Sequence, residues 1–430
     1  MKKRHLTPMQ AIALGFAVII LAGTFLLMLP ISLNPNCSLT FHDALFTATS
    51  AVCVTGLVVT DTADTFSVFG QAVIALLIQI GGLGITTLGL GFITMAGGKT
   101  RMRDKVLLRE ALNYPSMLGL QGLIKWVLLT TFMVEAVGAV LSFPIFLQDF
   151  SPGHAAWISV FHSVASFNNA GFDILGGGRG LSGYIDNIPL NIITAFLIIA
   201  GGLGFFVISD MLKKKSIRKW SLHTKTVILM YVILIVLGMG LLKITESDIS
   251  WLAAFFTSVS TRTAGFSTYA IGGFSQAGLL VMMVLMMIGA APGSTGGGIK
   301  VTTIFTIFRA VLAYPTGRSV TAFKKRISSA AVHTAFTIFV IALSVVFGCT
   351  LMLSIFEPEM PLSSLLYESF SAYATVGLSV GITSQFCLPA KICLIITMYM
   401  GRLGSLTIVS LFAKKRTVYA ERPIGHLPIG

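Results

Sequence analysis

The chain has 430 residues, of which 55% are hydrophobic and only 11% charged, with a formal net charge of +14. Soluble domains carry about 25% charged residues, so a soluble fold is excluded and several membrane spans are expected. Nor does the charge describe a nucleic-acid binder. Of the 30 Lys and Arg residues, 23 lie in five short segments, 2–4, 99–109, 213–225, 309–326 and 414–422, while the alternate segments carry mostly acids such as Asp61, Asp173 and Glu246. That alternation follows the positive-inside rule and places both termini in the cytoplasm of a multi-pass cell-membrane protein.

In chain order, Lys2, Lys3 and Arg4 precede the apolar run Ile12 to Leu29, which has no A-x-A site after it. It reads as a retained first span rather than a cleaved leader. Four apolar blocks then lie between the basic segments, at 8–98, 118–212, 222–308 and 329–412, followed by a cytoplasmic tail at 413–430. Each block is too long for one helix, since about 20 residues cross a bilayer. The first apolar stretches are 8–30, 121–147, 222–244 and 331–356; the second are 70–96, 189–211, 276–308 (interrupted) and 389–412. The expected fold is all-α and integral to the membrane, with eight spans and a polar, re-entrant segment in the middle of each block.

The middles read FTATSAVCVTGL (46–57), FHSVASFNNAGF (161–172), FFTSVSTRTAGF (255–266) and YESFSAYATVGL (367–378). Aligned on Gly56, Gly171, Gly265 and Gly377, each has an aromatic residue ten positions earlier and Ala or Ser five positions earlier. The second stretches repeat too, with GGLG at 81–84 and 201–204 and GRLG at 401–404. The third block has Gly289 at the corresponding place and continues as APGSTGGGIK (291–300). Four units of helix, pore loop and helix around a central axis, with fourfold pseudo-symmetry, fit this pattern.

Ten residues make roughly 15 Å of helix, half a bilayer. Irregular backbone at that depth is tolerated only inside protein or against water. Four half-helix C-termini would bring partial negative charge toward the centre, and the carbonyls beyond them could replace a cation's hydration shell. Glycine opens conformations that let those carbonyls face the axis. The candidate ion site is therefore Val54, Thr55 and Gly56; Asn169, Ala170 and Gly171; Thr263, Ala264 and Gly265; and Thr375, Val376 and Gly377. With almost no carboxylates in these segments, a monovalent ion is favoured, and a wide glycine-lined site is compatible with potassium. The competing explanation is that glycines and small residues only allow close helix packing.

Through STRTAGF (260–266), APGSTGGGIK (291–300) and the four loop segments, nearly the whole chain resembles the pore subunit of the Trk/Ktr/HKT superfamily of potassium transporters, most of all the Ktr type. The resemblance implies channel-like potassium uptake, with sodium left open as an activator. Gly56 stands where some sodium-selective plant relatives have serine. The resemblance also implies that the helix break forms an intramembrane gate: Gly289, Pro292, Gly293, Ser294, Thr295, Gly296, Gly297, Gly298 and Lys300, with Arg402 close by. An arginine inside an apolar run costs at least ~2.5–3.5 kcal/mol, so a function is the default reading, although helix-end carbonyls could also occupy it in a packing role. Lys300 could instead sit at the inner water boundary. The implied partners are a second copy of the chain and a cytosolic ring of nucleotide-binding regulatory subunits, docked on basic loops 213–225 and 318–326 or on the tail 421–430.

Other charged groups are less determined. Arg262 could brace the third loop through a carboxylate such as Glu368, or reach outer water. Glu135 lies within a first span and could be part of a buried pair or a coupling site. Asn168 and Asn169 make the second loop more polar than the rest. Nucleotide binding by this chain is not expected: in GSTGGGIK, Ile299 separates the last glycine from Lys300 and Val301 follows, unlike a phosphate-binding loop. No nucleophile–base set, metal cluster or disulfide framework suggests an enzyme. The second reading is a secondary transporter coupled to sodium or protons, in which broken helices also occur.

Overall fold

The computed structural model describes residues 7–84, 87–89, 120–178 and 180–404. Its helices run α1 (Pro8–Leu27), α2 (Phe41–Val52), α3 (Thr62–Thr65) and α4 (Val68–Leu83), then α5 (Leu120–Phe146), α6 (Pro152–Phe167), α7 (Ile188–Leu203) and α8 (Phe205–Lys213). They continue as α9 (Leu222–Thr245), α10 (Trp251–Ser260), α11 (Gln276–Met287) and α12 (Val301–Ala313), and end with α13 (Ser329–Phe356), α14 (Leu362–Ala374) and α15 (Leu388–Leu403).

Helices α1, α5, α9 and α13 have 20, 27, 24 and 28 residues. At 1.5 Å per residue each is long enough to cross ~30 Å of hydrocarbon. Their large exposed side chains include many apolar ones, such as Val18, Val140, Val236 and Val340, as a lipid-facing surface requires. Helix starts are capped by side chains that accept from backbone N–H groups: Thr7, Thr40, Ser67, Asn187, Ser221, Ser250, Ser275 and Ser328. Such caps satisfy donors that would otherwise be orphaned where the chain enters an apolar environment.

The second stretch of the third block is interrupted as expected, but the other three depart from the expected continuous spans. Helices α4, α7 and α15 have 16 residues and α11 has 12, about 24 Å or less. Helices α4, α7 and α15 stop at Gly84, Gly204 and Gly404, whose φ angles are 80°, 86° and 83°. After Gly204 the chain turns by 93° into α8. The GGLG and GRLG motifs read as parts of apolar runs, but their last glycine takes a conformation closed to most L residues and ends the helix. The regions after Gly84 and Gly404 lie mostly outside the described residues, as do the basic segments 99–109 and 414–422.

A second departure from the all-α expectation is a two-residue ribbon in the basic segment. Thr321–Ala322 pairs antiparallel with Lys325–Arg326, with Phe323 and Lys324 left-handed at the turn. Arg309 donates from Nε and a terminal nitrogen to Thr321 O at 2.9 and 2.7 Å.

The half-helices α2, α6, α10 and α14 occupy the centre. Phe46, Phe161 and Tyr367, three of the four repeated aromatics, are buried, and Phe255 is half-buried. The first and last units are joined by Lys391 in α15, whose Nζ lies 2.8 Å from Asp43 Oδ1 in α2. Thr40 donates to the other oxygen of Asp43 at 2.6 Å. Lys391→Met should cost about 1.5–3 kcal/mol, the range for a hydrogen bond to a charged group. Thermal unfolding of the detergent-solubilised protein should show the single variant less stable than Asp43→Asn/Lys391→Met.

Candidate functional site

Beyond each half-helix the chain turns sharply. Val54, Asn169, Thr263 and Thr375, each two residues before a repeated glycine, have φ of 56°, 58°, 64° and 51°. A non-glycine residue held there costs about 1–3 kcal/mol and persists only where its surroundings over-determine it. The amides that follow point back to the half-helices: Thr55 N donates to Ser50 O, Ala170 N to Ala165 O, Ala264 N to Ser260 O and Val376 N to Ser371 O, at 2.8–2.9 Å. Gly56 N and Gly377 N donate to the hydroxyls of Ser50 and Ser371 at 3.0 Å. In a trans peptide the carbonyl points opposite to the N–H, so the oxygens on these peptides project away from the half-helices.

Thr55 O and Val376 O, on the peptides of the Gly56 and Gly377 amides, form a closed ring with Ala170 O and Ala264 O. A Cβ placed on Gly56 would lie 2.4 Å from Ala170 O; on Gly171, 2.9 Å from Ala264 O; on Gly265, 2.4 Å from Val376 O; and on Gly377, 2.1 Å from Thr55 O. The four glycines thus sit edge to edge, each against the carbonyl of the next strand. Among the described residues, no hydrogen-bond donor reaches the carbonyls of Thr55, Ala170, Ala264 or Val376. A cycle of acceptors with no side chain in the way suits a dehydrated cation.

On one side of the ring lies a vestibule of about 750 Å³, lined by Gly56, Gly171, Gly265, Gly377, Asp61 and Asp173 among others. Asp61 caps α3 and accepts from Gly178 N at 2.6 Å. Half-buried Asp173 accepts from Leu175 N at 3.2 Å.

On the other side is the break between α11 and α12. Ile288 and Ile299 form a parallel bridge, with Gly289 N donating to Ile299 O at 2.8 Å. The segment between them is held from several directions. Ala291 N and Thr295 N donate to Gly202 O and Gly201 O, and Phe205 N donates to Gly293 O. Ser294 donates to Ala291 O at 2.6 Å. Pro292 O lies 2.9 Å from where a Cβ on Gly204 would stand. Gly296 and Gly297 lie directly against Thr263 and Thr375: added Cβ atoms would sit 2.2 Å from Thr263 Oγ1 and 2.1 Å from Thr375 Oγ1. Gly298 faces Ala374 O.

Two cations hold this loop. Arg402 donates to Thr295 O at 2.5 Å, to Gly82 O at 3.1 Å and also to Gly81 O. Lys300 donates to Gly296 O at 2.7 Å and Gly297 O at 3.4 Å, so its ammonium engages the loop itself. The GGLG and GRLG motifs also find their reason. A Cβ on Gly81, Gly201 or Gly401 would fall 2.0, 1.8 or 1.9 Å from the carbonyl of Val52, Phe167 or Tyr373. Each carbonyl is four residues before a ring glycine, so these glycines let an inner helix touch the end of a half-helix.

Arg262 does not pair with Glu368. It is 1% exposed, its guanidinium lies 5.5 Å from the Tyr231 ring centroid, and none of its side-chain nitrogens has a hydrogen-bond partner among the described residues. Glu368 is instead occupied by Ser379, Val380 N and Thr383 at 2.6–3.0 Å. Glu135 accepts from the amides of Gln79 at 3.2 Å and Asn168 at 3.0 Å, a buried polar triad rather than an ion pair. Sequence reading missed this triad, the four left-handed residues and the acidic vestibule. Only the repeated glycine motifs had signalled the close approaches.

Buried polar backbone inside an apolar helical shell, with a ring of converging carbonyls, defines a multi-pass helical membrane protein built to handle a small cation. Similarity places it more closely. The family model for TrkH, described as a cation transport protein, matches residues 4–418, and the chain belongs to that family. It is 36% identical over 437 residues to Ktr system potassium uptake protein B of Bacillus subtilis, covering 99% of this chain and 97% of the relative. It is 39% identical over 439 residues to the potassium/sodium uptake protein NtpJ of Enterococcus hirae, covering 98% and 97%. The potassium transporter TrkH of Vibrio parahaemolyticus shares the fold at a TM-score of 0.72 and 21% identity, over 96% of this chain and 86% of that one.

Burial, aided by the Asp61 charge and opposed by the Leu175 amide, pushes the Asp173 carboxyl up to about 6. It is therefore neutral below that pH and charged above it, adding to the field of the vestibule. Acidifying the vestibule side through about 6 should lower cation uptake at low cation concentration. Asp173→Asn should have the low uptake already at neutral pH and a flatter profile, measured as tracer influx against pH.

Proposed function

We propose that this chain is the membrane subunit of a channel-like potassium uptake system, with four helix–loop–helix units around one pore. The observation that carries the reading is the closed cycle of glycines and neighbouring carbonyls at 56, 171, 265 and 377. Potassium, as the transported ion, is supported by the names of the Bacillus and Enterococcus relatives. The name of the Enterococcus relative also keeps sodium as a second ion to be measured.

In this mechanism a potassium ion enters the vestibule, where Asp61 and Asp173 raise the local cation concentration. It sheds water against the ring carbonyls, which replace its hydration shell. The loop 289–300 then blocks the path, lying under three of the four strands with Arg402 and Lys300 clamped onto it. The Arg402 guanidinium just beyond the ring also raises an electrostatic barrier to a cation. Conduction requires the loop to leave, which breaks the Arg402 bonds.

Orientation with both termini in the cytoplasm, assembly as a homodimer and docking of a cytosolic nucleotide-binding ring remain parts of the proposal. The charge alternation supports the first. The exposed, basic segments 213–219 and 318–326 offer a surface for the last, while the tail 421–430 lies outside the described residues.

Two variants test filter and gate separately in proteoliposomes. Gly265→Ser places a Cβ against Val376 O and should reduce the preference for rubidium over sodium by about tenfold, equal to roughly 1.4 kcal/mol. Arg402→Gln removes charge-assisted bonds worth about 1.5–3 kcal/mol each and should raise rubidium flux at least about tenfold. Unchanged selectivity in the first variant counts against the ring as the filter, and unchanged or lower flux in the second counts against the loop as the gate.

A further inference from the structure

The two asparagines of the second loop do different work. Asn168 faces away from the ring, into the frame: its amide donates to Gln79 Oε1 at 2.7 Å, Glu135 Oε1 at 3.0 Å and Val164 O at 2.9 Å. Gln79 in turn donates to Glu135 Oε2 at 3.2 Å. This ties the second strand to α4 and α5, two helices outside the ring. Asn169 is one of the four left-handed residues just before the glycines, and it is fully buried. Its amide donates to Arg262 O of the third strand at 3.2 Å. Its Oδ1 accepts from the hydroxyl of Thr295, in the loop below, at 3.3 Å.

Thr295 is the residue on which the loop's attachments converge. Its N–H donates to Gly201 O at 3.3 Å, its carbonyl accepts from Arg402, and its one hydroxyl proton is shared between Asn169 Oδ1 and Phe167 O, the latter at 3.1 Å. The corresponding side chains of the other strands offer no such link. Val54 has no polar side-chain group, and the hydroxyls of Thr263 and Thr375, although pressed against Gly296 and Gly297, have no hydrogen-bond partner among the described residues. Among the described residues, the side chain of Asn169 is the one hydrogen-bonded connection from this layer of the ring to the loop.

We propose that Asn169 is a selectivity-positioning residue through which the position of the 289–300 loop sets the geometry of the glycine ring. The inference rests on reading the loop as a gate and the ring as a filter. With the loop in place, Thr295 holds Asn169 Oδ1. Asn169 Nδ2 then holds the backbone of the third strand, while Asn168 keeps the second strand fixed to the frame. When the loop withdraws, Asn169 Oδ1 and Phe167 O lose the one hydroxyl donor they share. The second and third strands are then joined by one hydrogen bond instead of a braced pair. Ion discrimination therefore changes with gate position, on one side of the ring only.

The test is a double-mutant cycle read as the rubidium-to-sodium flux ratio in proteoliposomes. Asn169→Gly keeps the left-handed backbone accessible while deleting the side chain, and Thr295→Val removes only the hydroxyl. Each should shift the ratio by about 2- to 12-fold, the range one such hydrogen bond supplies. The double variant should shift it no further than the larger single, and Thr295→Ser should behave as wild type. A wild-type ratio in Thr295→Val, or a double equal to the product of the singles, overturns the proposal. Should Asn169→Gly fail to elute as a monodisperse species, the Thr295→Val and Thr295→Ser pair decides alone. Deleting 293–298 separates the two readings: unchanged flux in that variant sinks the gate, whereas an unshifted ratio in Thr295→Val with raised flux in the deletion sinks only the Asn169 link.

Discussion

Backbone carbonyls at membrane depth must find a donor or a cation, because lipid offers neither, and the architecture around the ring follows from that constraint. The half-helices consume the amides of the strands that follow them and turn the opposite ends of the same peptides inward. A side chain on any of the four glycines would collide with a carbonyl of the next strand, so the ring exists only as bare backbone. The left-handed residues at 54, 169, 263 and 375 carry the strain this requires. The surrounding helices press close enough to hold them there, through Gly81, Gly201 and Gly401.

The loop between α11 and α12 obeys the same rule from the opposite side. Its unwound backbone satisfies itself only in part, and Arg402 and Lys300 meet the carbonyls of Thr295, Gly296 and Gly297. Arg402 bridges the loop to Gly81 and Gly82, so one guanidinium joins elements far apart in sequence. That bridge explains why an arginine is retained in an apolar helix where its burial alone would be unfavourable. The third unit differs from the others because its inner helix gives way to this loop, and the asymmetry of Asn168 and Asn169 lies next to it. The unusual features of the chain therefore gather at one junction rather than being spread around the ring.

Much of this was legible in the sequence. The long helices followed from apolar length, the half-helices from the polar middles, and the ring glycines from aligning FTATSAVCVTGL with its three counterparts. The break at Gly289 followed from a proline and glycines set in an apolar run, whereas its association with Arg402 came from the family resemblance. The ends of α4, α7 and α15 were not legible, because a glycine inside an apolar run does not reveal whether it permits packing or reverses φ. Partners brought together across the fold, such as Asp43 with Lys391 or Glu135 with Gln79, leave no local pattern. Arg262 misled for the same reason: Glu368 was a plausible carboxylate by type, but the hydroxyls of Ser379 and Thr383, eleven and fifteen residues further along, had already filled it.

The central claim is that the ring passes ions down their own gradient. The most direct measurement is rubidium uptake into proteoliposomes containing this chain and driven only by an outward potassium gradient, with sodium and pH equal on both sides. The account predicts uptake that persists under those conditions and exceeds sodium uptake measured in parallel. Uptake that appears only when a sodium or proton gradient is imposed would contradict it and make the chain a coupled transporter.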